Sequence, residues 1–316
     1  VNFSIKPGLS TTITIFELDT AGNIVRKNLH SVPGFAFIHD FAITPNYCIF
    51  FQNPVAFNPI PFALGMRGAG ECIDFQANQP TKVLIIPRRS PLAPLGRGKS
   101  PLAPLEKGGS QEKVQILETQ SGFVFHHTNA FEKGDEIIID SICYENLPEV
   151  EPESDFRETD FESLKPGQLW RFHLNLKDNT VRRELIESRC CEFPSVHPDK
   201  VGREHRYLYM GATHGVEGNA PLQAFEKVDV ETGEKQVWSA APTGYASEPN
   251  FVPRNRHGDE DDGWLLGLVY DSIHHRSDVV ILDAKDLNKD PIARLHLKHH
   301  IPYGLHGNFV DDVFVD

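Results

Sequence analysis

Basic residues are in deficit in this 316-residue chain: 31 Lys and Arg stand against 44 Asp and Glu, a formal net charge of −13. A phosphate backbone demands a basic surface, so no nucleic-acid partner is expected. Long apolar runs are missing too, and none approaches the roughly 20 residues of a membrane-spanning helix. The 5 cysteines (Cys48, Cys72, Cys143, Cys190, Cys191) follow neither a disulfide-scaffold nor a zinc-finger spacing. Adjacent Cys190 and Cys191 read as small buried apolar residues rather than a redox pair. Long amphipathic helical patterns are scarce, whereas 24 Gly and 23 Pro are spread along the chain. That combination points to many turns and an all-β fold. No Ser–His–Asp arrangement is visible. The expected setting is reduced, soluble and intracellular. The chain opens at Val1, already inside a strand-like pattern.

What is present is organised around GFVFHHTNAFEKGDEIIIDSICYE, Gly122 to Glu145. It reads as two extended segments joined by a turn at Lys133, Gly134 and Asp135, the second being β-branched and short enough for a buried strand. Strand alternation would point His126 and His127 to opposite faces, each as a core histidine or as a metal ligand. A recurring plan surrounds this stretch: an apolar strand, an acidic or amide-containing turn, and a more polar return strand. It passes through Asp19, Asp74, Asp178, Asp229 and Asp283, with spacings of 55, 51 and 54 residues within the first pair and the last three. A hairpin recurring about every 50 residues in an all-β chain is the signature of a propeller blade, and about five blades would fit. The plan breaks at residues 90–110, where SPLAPLGRGK is followed by SPLAPLEKGG. This tandem reads as an extended or disordered surface insertion.

Position sorts the 15 histidines. His39 ends FAFIH, His126 ends FVFH, and His306 sits in IPYGLHGNFV, each read as a strand of a different blade. Innermost propeller strands converge on one axis, and three imidazoles there would suit Fe, Zn, Cu or Ni. His197, His205, His257, His274, His275, His296, His299 and His300 lie in polar surroundings and read as surface. Glu192 in CCEFPSV and Glu248 in ASEPNFV occupy apolar contexts in which a carboxylate needs a partner; each is either a turn carboxylate or a support for a ligand imidazole.

HDFAITPNY, FHHTNAFE, EFP, SEPNFVPR, LLGLVYDSIHHRSDVVILDAKDL and PYGLHGNF, in this order, resemble the carotenoid cleavage oxygenases. QNPVAFNPIPFALGMRGAGECIDF is similar to their bacterial apocarotenoid-15,15′-oxygenase branch. The resemblance covers the chain apart from the insertion. It implies a seven-bladed propeller, with residues 1–316 as a single domain, and an axial Fe(2+) held by four histidines. Three match here: His39, His126 and His306, the first histidine of the HH pair being the ligand. Glu192 and Glu248 match glutamates that orient ligand histidines, expected near His126 and His306 respectively. Phe37, Phe125 and Tyr144 would line the substrate tunnel. By the same resemblance, the first histidine ligand, the first orienting glutamate, the opening blades and a membrane-dipping apolar patch lie upstream of Val1. The chain is therefore expected to be a fragment of a longer enzyme or a degenerate product.

The implied chemistry is O₂-dependent cleavage of a conjugated double bond in a lipophilic polyene, giving two carbonyl products. An apocarotenal yielding retinal is the leading substrate, with stilbene-type substrates as the alternative. The expected location is cytoplasmic, with peripheral membrane contact in the intact enzyme. A non-catalytic propeller scaffold is the competing reading. A metal-dependent propeller hydrolase would need an acidic axial ligand set and ranks below both.

Overall fold

The computed structural model describes residues 1–8, 10–88, 114–148, 160–161, 163–219, 221–255, 258–302 and 305–311. The repeat read at 90–110 and His257 lie outside them. Among the described residues there are 21 β-strands and one short α-helix. The all-β expectation holds. The chain forms two compact units, residues 1–41 with 46–122 and residues 42–45 with 123–316.

In the first unit β1 (Asn2–Lys6), β2 (Ser10–Leu18) and β3 (Ile24–Pro33) form an antiparallel sheet in that order. Thr11, Ile13 and Ile15 alternate into the core from β2, the period-2 pattern of a half-buried strand. The Asp19 carboxylate accepts from the amides of Ala21 and Asn23, both at 2.9 Å, and so closes the β2–β3 turn. The two-residue β4 (Ala42–Ile43) belongs to the second unit. β5 (Tyr47–Gln52), β8 (Thr81–Pro87) and β9 (Gln115–Thr119) are hydrogen-bonded neighbours, while β6 (Val55–Phe57) pairs with β7 (Ile73–Phe75). The hairpin expected through Asp74 therefore does not form, because β7 and β8 pair with different strands.

Helix α1 (Pro59–Ala63) begins with Asn58 Oδ1 accepting from the Ile60 amide at 3.2 Å, and proline pre-sets its first turn. It buries nothing. Ile60, Phe62, Leu64 and Met66 are 67%, 51%, 68% and 72% exposed. Together they form an exposed apolar ridge.

The second unit holds three four-stranded antiparallel sheets in simple meander order. They are β10 (Phe123–Lys133) to β13 (Thr180–Glu187), β14 (Cys191–Val196) to β17 (Lys235–Ser239), and β18 (Gly244–Pro253) to β21 (Ala293–His296). Between these bounding strands lie β11 (Glu136–Tyr144), β12 (Gln168–Asn175), β15 (Tyr207–Ala212), β16 (Ala224–Asp229), β19 (Gly263–Asp271) and β20 (Arg276–Asp283). β10 and β11 are joined by a tight turn in which Gly134 takes φ 63°, a conformation that glycine adopts without a Cβ penalty. β11 shows no alternation because Ile137, Ile138, Ile139 and Ile142 are all buried. The acidic turn plan recurs with real caps. Asp229 Oδ1 accepts from Glu231 and Thr232 amides, Asp271 Oδ1 from Ile273 and His274, and Asp283 Oδ1 from Lys285. At the β12–β13 turn this role passes from the expected Asp178 to Asn175, whose Oδ1 takes the amides of Lys177 and Asp178. All five cysteines are free and buried, as expected for Cys190 and Cys191.

Close packing makes one glycine indispensable. A Cβ on Gly267 would come within 2.1 Å of Phe225 Cζ, and that ring is fully buried and stacked on Trp238. Gly267→Ala is expected to destabilise the chain by about 1–3 kcal/mol through overpacking. An unchanged urea midpoint would refute this packing account.

Other expectations fail as well. The segments carrying His39 and His306 are not strands. Their backbone groups bond to side chains instead of to a ladder. The Ala36 amide donates to Thr11 Oγ1, Phe35 O accepts from Gln52 Nε2, and the Gly307 amide donates to Glu248. His197 and His205, read as surface, are 7% and 3% exposed. His197 caps the turn at Pro198–Lys200 by accepting from the Asp199 amide, and His205 Nε2 lies 3.0 Å from the buried Asp140 carboxylate. Only His197 finds its partner among its polar sequence neighbours; His205 is paired with a residue on a distant strand.

Candidate metal centre

β10, β14 and β18 are the first strands of their sheets, and β10 carries two extra residues relative to its neighbour while β14 and β18 carry one each. The first shift in each falls between Val124 and His127, between Glu192 and Ser195, and between Ala246 and Pro249, and β10 shifts again between His127 and Asn129. Such a bulge bends the strand and re-aims a side chain. His126 lies within the first, Glu192 opens the second and Glu248 lies within the third. Strict alternation therefore does not govern the HH pair. His127 turns to Ser141, its Nδ1 2.7 Å from the hydroxyl.

His126 Nδ1 meets Glu192 Oε2 at 2.5 Å, and both side chains are largely buried, at 15% and 12% exposure. The same oxygen accepts from the Phe193 amide at 2.6 Å, and Glu192 Oε1 accepts from the Tyr144 hydroxyl at 3.0 Å. Glu248 repeats the arrangement. Its Oε1 lies 3.2 Å from His306 Nδ1, and its Oε2 accepts from the Gly307 amide at 2.7 Å. Both glutamates thus stand beside the histidines expected for them. The remaining ring nitrogens face each other, with His126 Nε2 3.3 Å from His306 Nε2.

This donor set fits a metal ion. Each Nδ1 is committed to a carboxylate, so in the neutral rings each Nε2 presents a lone pair, and two lone pairs in contact repel. A cation between them removes the conflict. Imidazoles at ~2.1 Å from one ion and about 90–110° apart place their nitrogens about 3.0–3.4 Å from one another, which brackets the observed gap. The carboxylates fix tautomer and ring orientation, the usual support for a metal-bound imidazole. Burial pushes the Cys143 thiol up to about 11 and the Cys191 thiol well above its ordinary value, so neither is a ready thiolate nucleophile. Burial, and then the negative charge of Glu192, push the Tyr144 phenol well above its ordinary value, so it remains a donor.

Aromatic rings surround the pair. Phe125 lies 6.4 Å from the His126 ring and edge-on to Tyr144 at 5.8 Å. Phe193, which sequence reasoning missed, lies 5.5 Å from His126 and 5.7 Å from His306. It adopts φ 56°, a strained backbone for a bulky residue. Nothing in EFP announces that conformation; proximity to Glu192 was the available signal. A cavity of about 280 Å³ adjoins the His306–Glu248 pair, lined by Tyr245, Leu268, Ile301 and Leu305 among others. His39 and Phe37 lie in the first unit, on the non-strand segment after β3, where His39 is exposed and Phe37 half-buried.

The family model of the retinal pigment epithelial membrane protein matches residues 1–311. The chain is 52% identical over 309 residues to apocarotenoid-15,15′-oxygenase of Synechocystis sp. (strain ATCC 27184 / PCC 6803 / Kazusa), covering 98% of this chain and 59% of that protein. Lignostilbene-alpha,beta-dioxygenase isozyme III of Sphingomonas paucimobilis is 28% identical over 318 residues, covering 96% of this chain and 60% of that protein. The crystal structure of cobalt-substituted Synechocystis apocarotenoid oxygenase superposes with a TM-score of 0.87 at 52% identity, over 96% of this chain and 59% of that one. The chain therefore spans about three-fifths of the length of these relatives. With a family model matched along nearly its whole length and half its residues shared with one member, this chain belongs to the retinal pigment epithelial membrane protein family, the carotenoid cleavage oxygenases.

Proposed function

We propose that the chain carries the metal centre of an O₂-dependent oxygenase that cleaves a conjugated double bond of an apocarotenoid to two carbonyl products, a retinal-type aldehyde among them. The observation that carries this reading is the pair of imidazoles whose Nδ1 atoms are tied to Glu192 and Glu248 and whose Nε2 atoms meet at 3.3 Å. His39, matched through HDFAIT, is the third ligand. The three meander sheets are consecutive blades of a propeller. The metal is Fe(2+), which when bound supplies the centre at which O₂ is used. The protein's part is to hold His126 and His306 in one tautomer, to keep water away with Phe125 and Phe193, and to bind an apolar chain along aromatic walls. Phe37 belongs to that wall. The apocarotenoid assignment follows the relative at 52% identity, and the stilbene alternative follows one at 28%.

The test is incubation of the iron-loaded chain with an apocarotenal in air and under argon, with aldehyde products measured in wild type and in Glu192→Gln. Air-dependent cleavage that falls in the variant supports the proposal. An iron-loaded wild type that cleaves nothing sinks it and leaves the scaffold reading.

The apolar ridge supports peripheral membrane contact as the route by which so insoluble a substrate arrives. With a net charge of −13, attachment is hydrophobic rather than electrostatic and should survive high salt. Phe62→Asp combined with Leu64→Asp is expected to weaken vesicle binding by roughly a hundredfold or more, since each apolar side chain contributes about 1.5–3 kcal/mol on burial. Co-sedimentation with neutral vesicles reads this out; equal binding by the double variant would reject the ridge as the contact.

A further inference from the structure

We propose that Tyr144 is a positioning residue that acts on the metal centre through Glu192 and His126, locked in that role by Gly167. The inference rests on the ligand set above and gives Tyr144 a place other than the tunnel wall. Tyr144 closes β11, and its hydroxyl donates to Glu192 Oε1 at 3.0 Å. The other oxygen of that carboxylate already serves His126 Nδ1 and the Phe193 amide. With both oxygens engaged, the carboxylate plane is fixed, and with it the imidazole that it orients. Tyr144 is the group on Oε1.

Gly167 explains why the phenol stays there. A Cβ at Gly167 would fall 2.6 Å from Tyr144 Cζ, 2.8 Å from its hydroxyl and 2.9 Å from the Cys191 carbonyl. The Gly167 carbonyl also accepts from the Cys191 amide at 2.9 Å, one residue before Glu192. One glycine therefore presses on the phenol and anchors the strand that bears the carboxylate. Glu248 has a backbone amide where Glu192 has a phenol, so His126 and His306 are supported unequally. A phenol donating to Glu192 draws on the charge that would otherwise face His126 Nδ1–H. Removing it strengthens that acceptor and frees its plane.

The experiment uses the full chain with ¹⁵N-labelled histidine. In metal-free protein the Nδ1–H of His126 gives a downfield proton resonance, assigned by its loss in His126→Ala. Tyr144→Phe, which keeps the ring and its packing, is expected to move that resonance further downfield. In parallel, because the lost carboxylate orientation outweighs the stronger acceptor, cobalt(II) binding should weaken about three- to tenfold, less than the roughly 10–100-fold typical of losing a group that touches the ligand itself. Its visible absorption bands should change as well. Gly167→Ala should shift the resonance in the same direction. An unmoved resonance and unchanged cobalt bands in Tyr144→Phe, with only KM for the polyene altered, would return Tyr144 to the tunnel wall and overturn the proposal. Failure of the wild type to take up cobalt overturns the ligand set instead, and the metal-free resonance separates the two failures.

Discussion

His126→Ala is expected to abolish stoichiometric metal binding, the largest functional effect of any single change in the chain. His126 is the better buried of the two imidazoles, and Glu192 holds its Nδ1 at 2.5 Å, so little reorganisation precedes coordination. Its loss leaves His306, whose side chain is 47% exposed, opposite an empty position. Glu192→Gln should be milder. The amide can still accept from Nδ1 but brings no charge and cannot serve the Phe193 amide, Tyr144 and His126 as one carboxylate does. A loss of roughly 10–100-fold in metal affinity is expected, as for other outer supports of metal histidines. Equilibrium competition with a chelator orders the two variants. If Glu192→Gln loses more metal than His126→Ala, the glutamate is itself a ligand, and the assignment of roles made above is wrong.

The largest stability effect should come from Arg171→Leu, away from the metal. Asp140 is 1% exposed, and Arg171 grips it with two bonds of 2.8 Å, Nε to Oδ1 and Nη2 to Oδ2, while His205 approaches to 3.0 Å. Burial by itself would raise the Asp140 pKa. The hydrogen bonds and charges of Arg171 and His205 outweigh it and hold the carboxyl below its ordinary value. Removing the guanidinium leaves a buried charge with one partner and should cost about 3–5 kcal/mol. Replacing both members with apolar residues of similar volume, Asp140→Leu with Arg171→Leu, should cost much less. The pH dependence follows from the sign of the shift. A carboxyl whose folded pKa lies below the unfolded value of about 3.9 contributes its full stability above that value, and loses it as pH falls through the folded pKa. Wild type should therefore lose this increment only below about pH 4, and Arg171→Leu should lack it at neutral pH. Urea unfolding at pH 7, and at a series of pH values below about 4, measures both. A single variant no less stable than the double one would show that the pair is not carrying the charge.

Much of this was legible in the sequence because local chemistry fixed it. The turns at Asp19, Asp229 and Asp283 could be read from their acidic residues, which cap real amides. The β10–β11 pair could be read from Gly134 and an unbroken run of isoleucines. Glu192 and Glu248 stood out as carboxylates in apolar company, and the structure gives each an imidazole. What stayed hidden depends on register and on distant partners. The three bulges that re-aim His126, Glu192 and Glu248 leave no mark in composition, since each is one extra residue counted against a neighbouring strand. Phe193 at positive φ contradicts local preference and is held by its surroundings. The Asp74 turn looked like the others until pairing sent β7 and β8 to different neighbours. His205 was misjudged because its partner, Asp140, lies 65 positions away in the sequence.

The central claim, that these imidazoles form a metal centre, is tested most directly by anaerobic titration of the purified chain with Fe(2+), read as bound metal per chain. One ion per chain, reduced to none in a His126→Ala, His306→Ala double variant, is the result this account predicts. No uptake by the wild type, or uptake undiminished in the double variant, would contradict it.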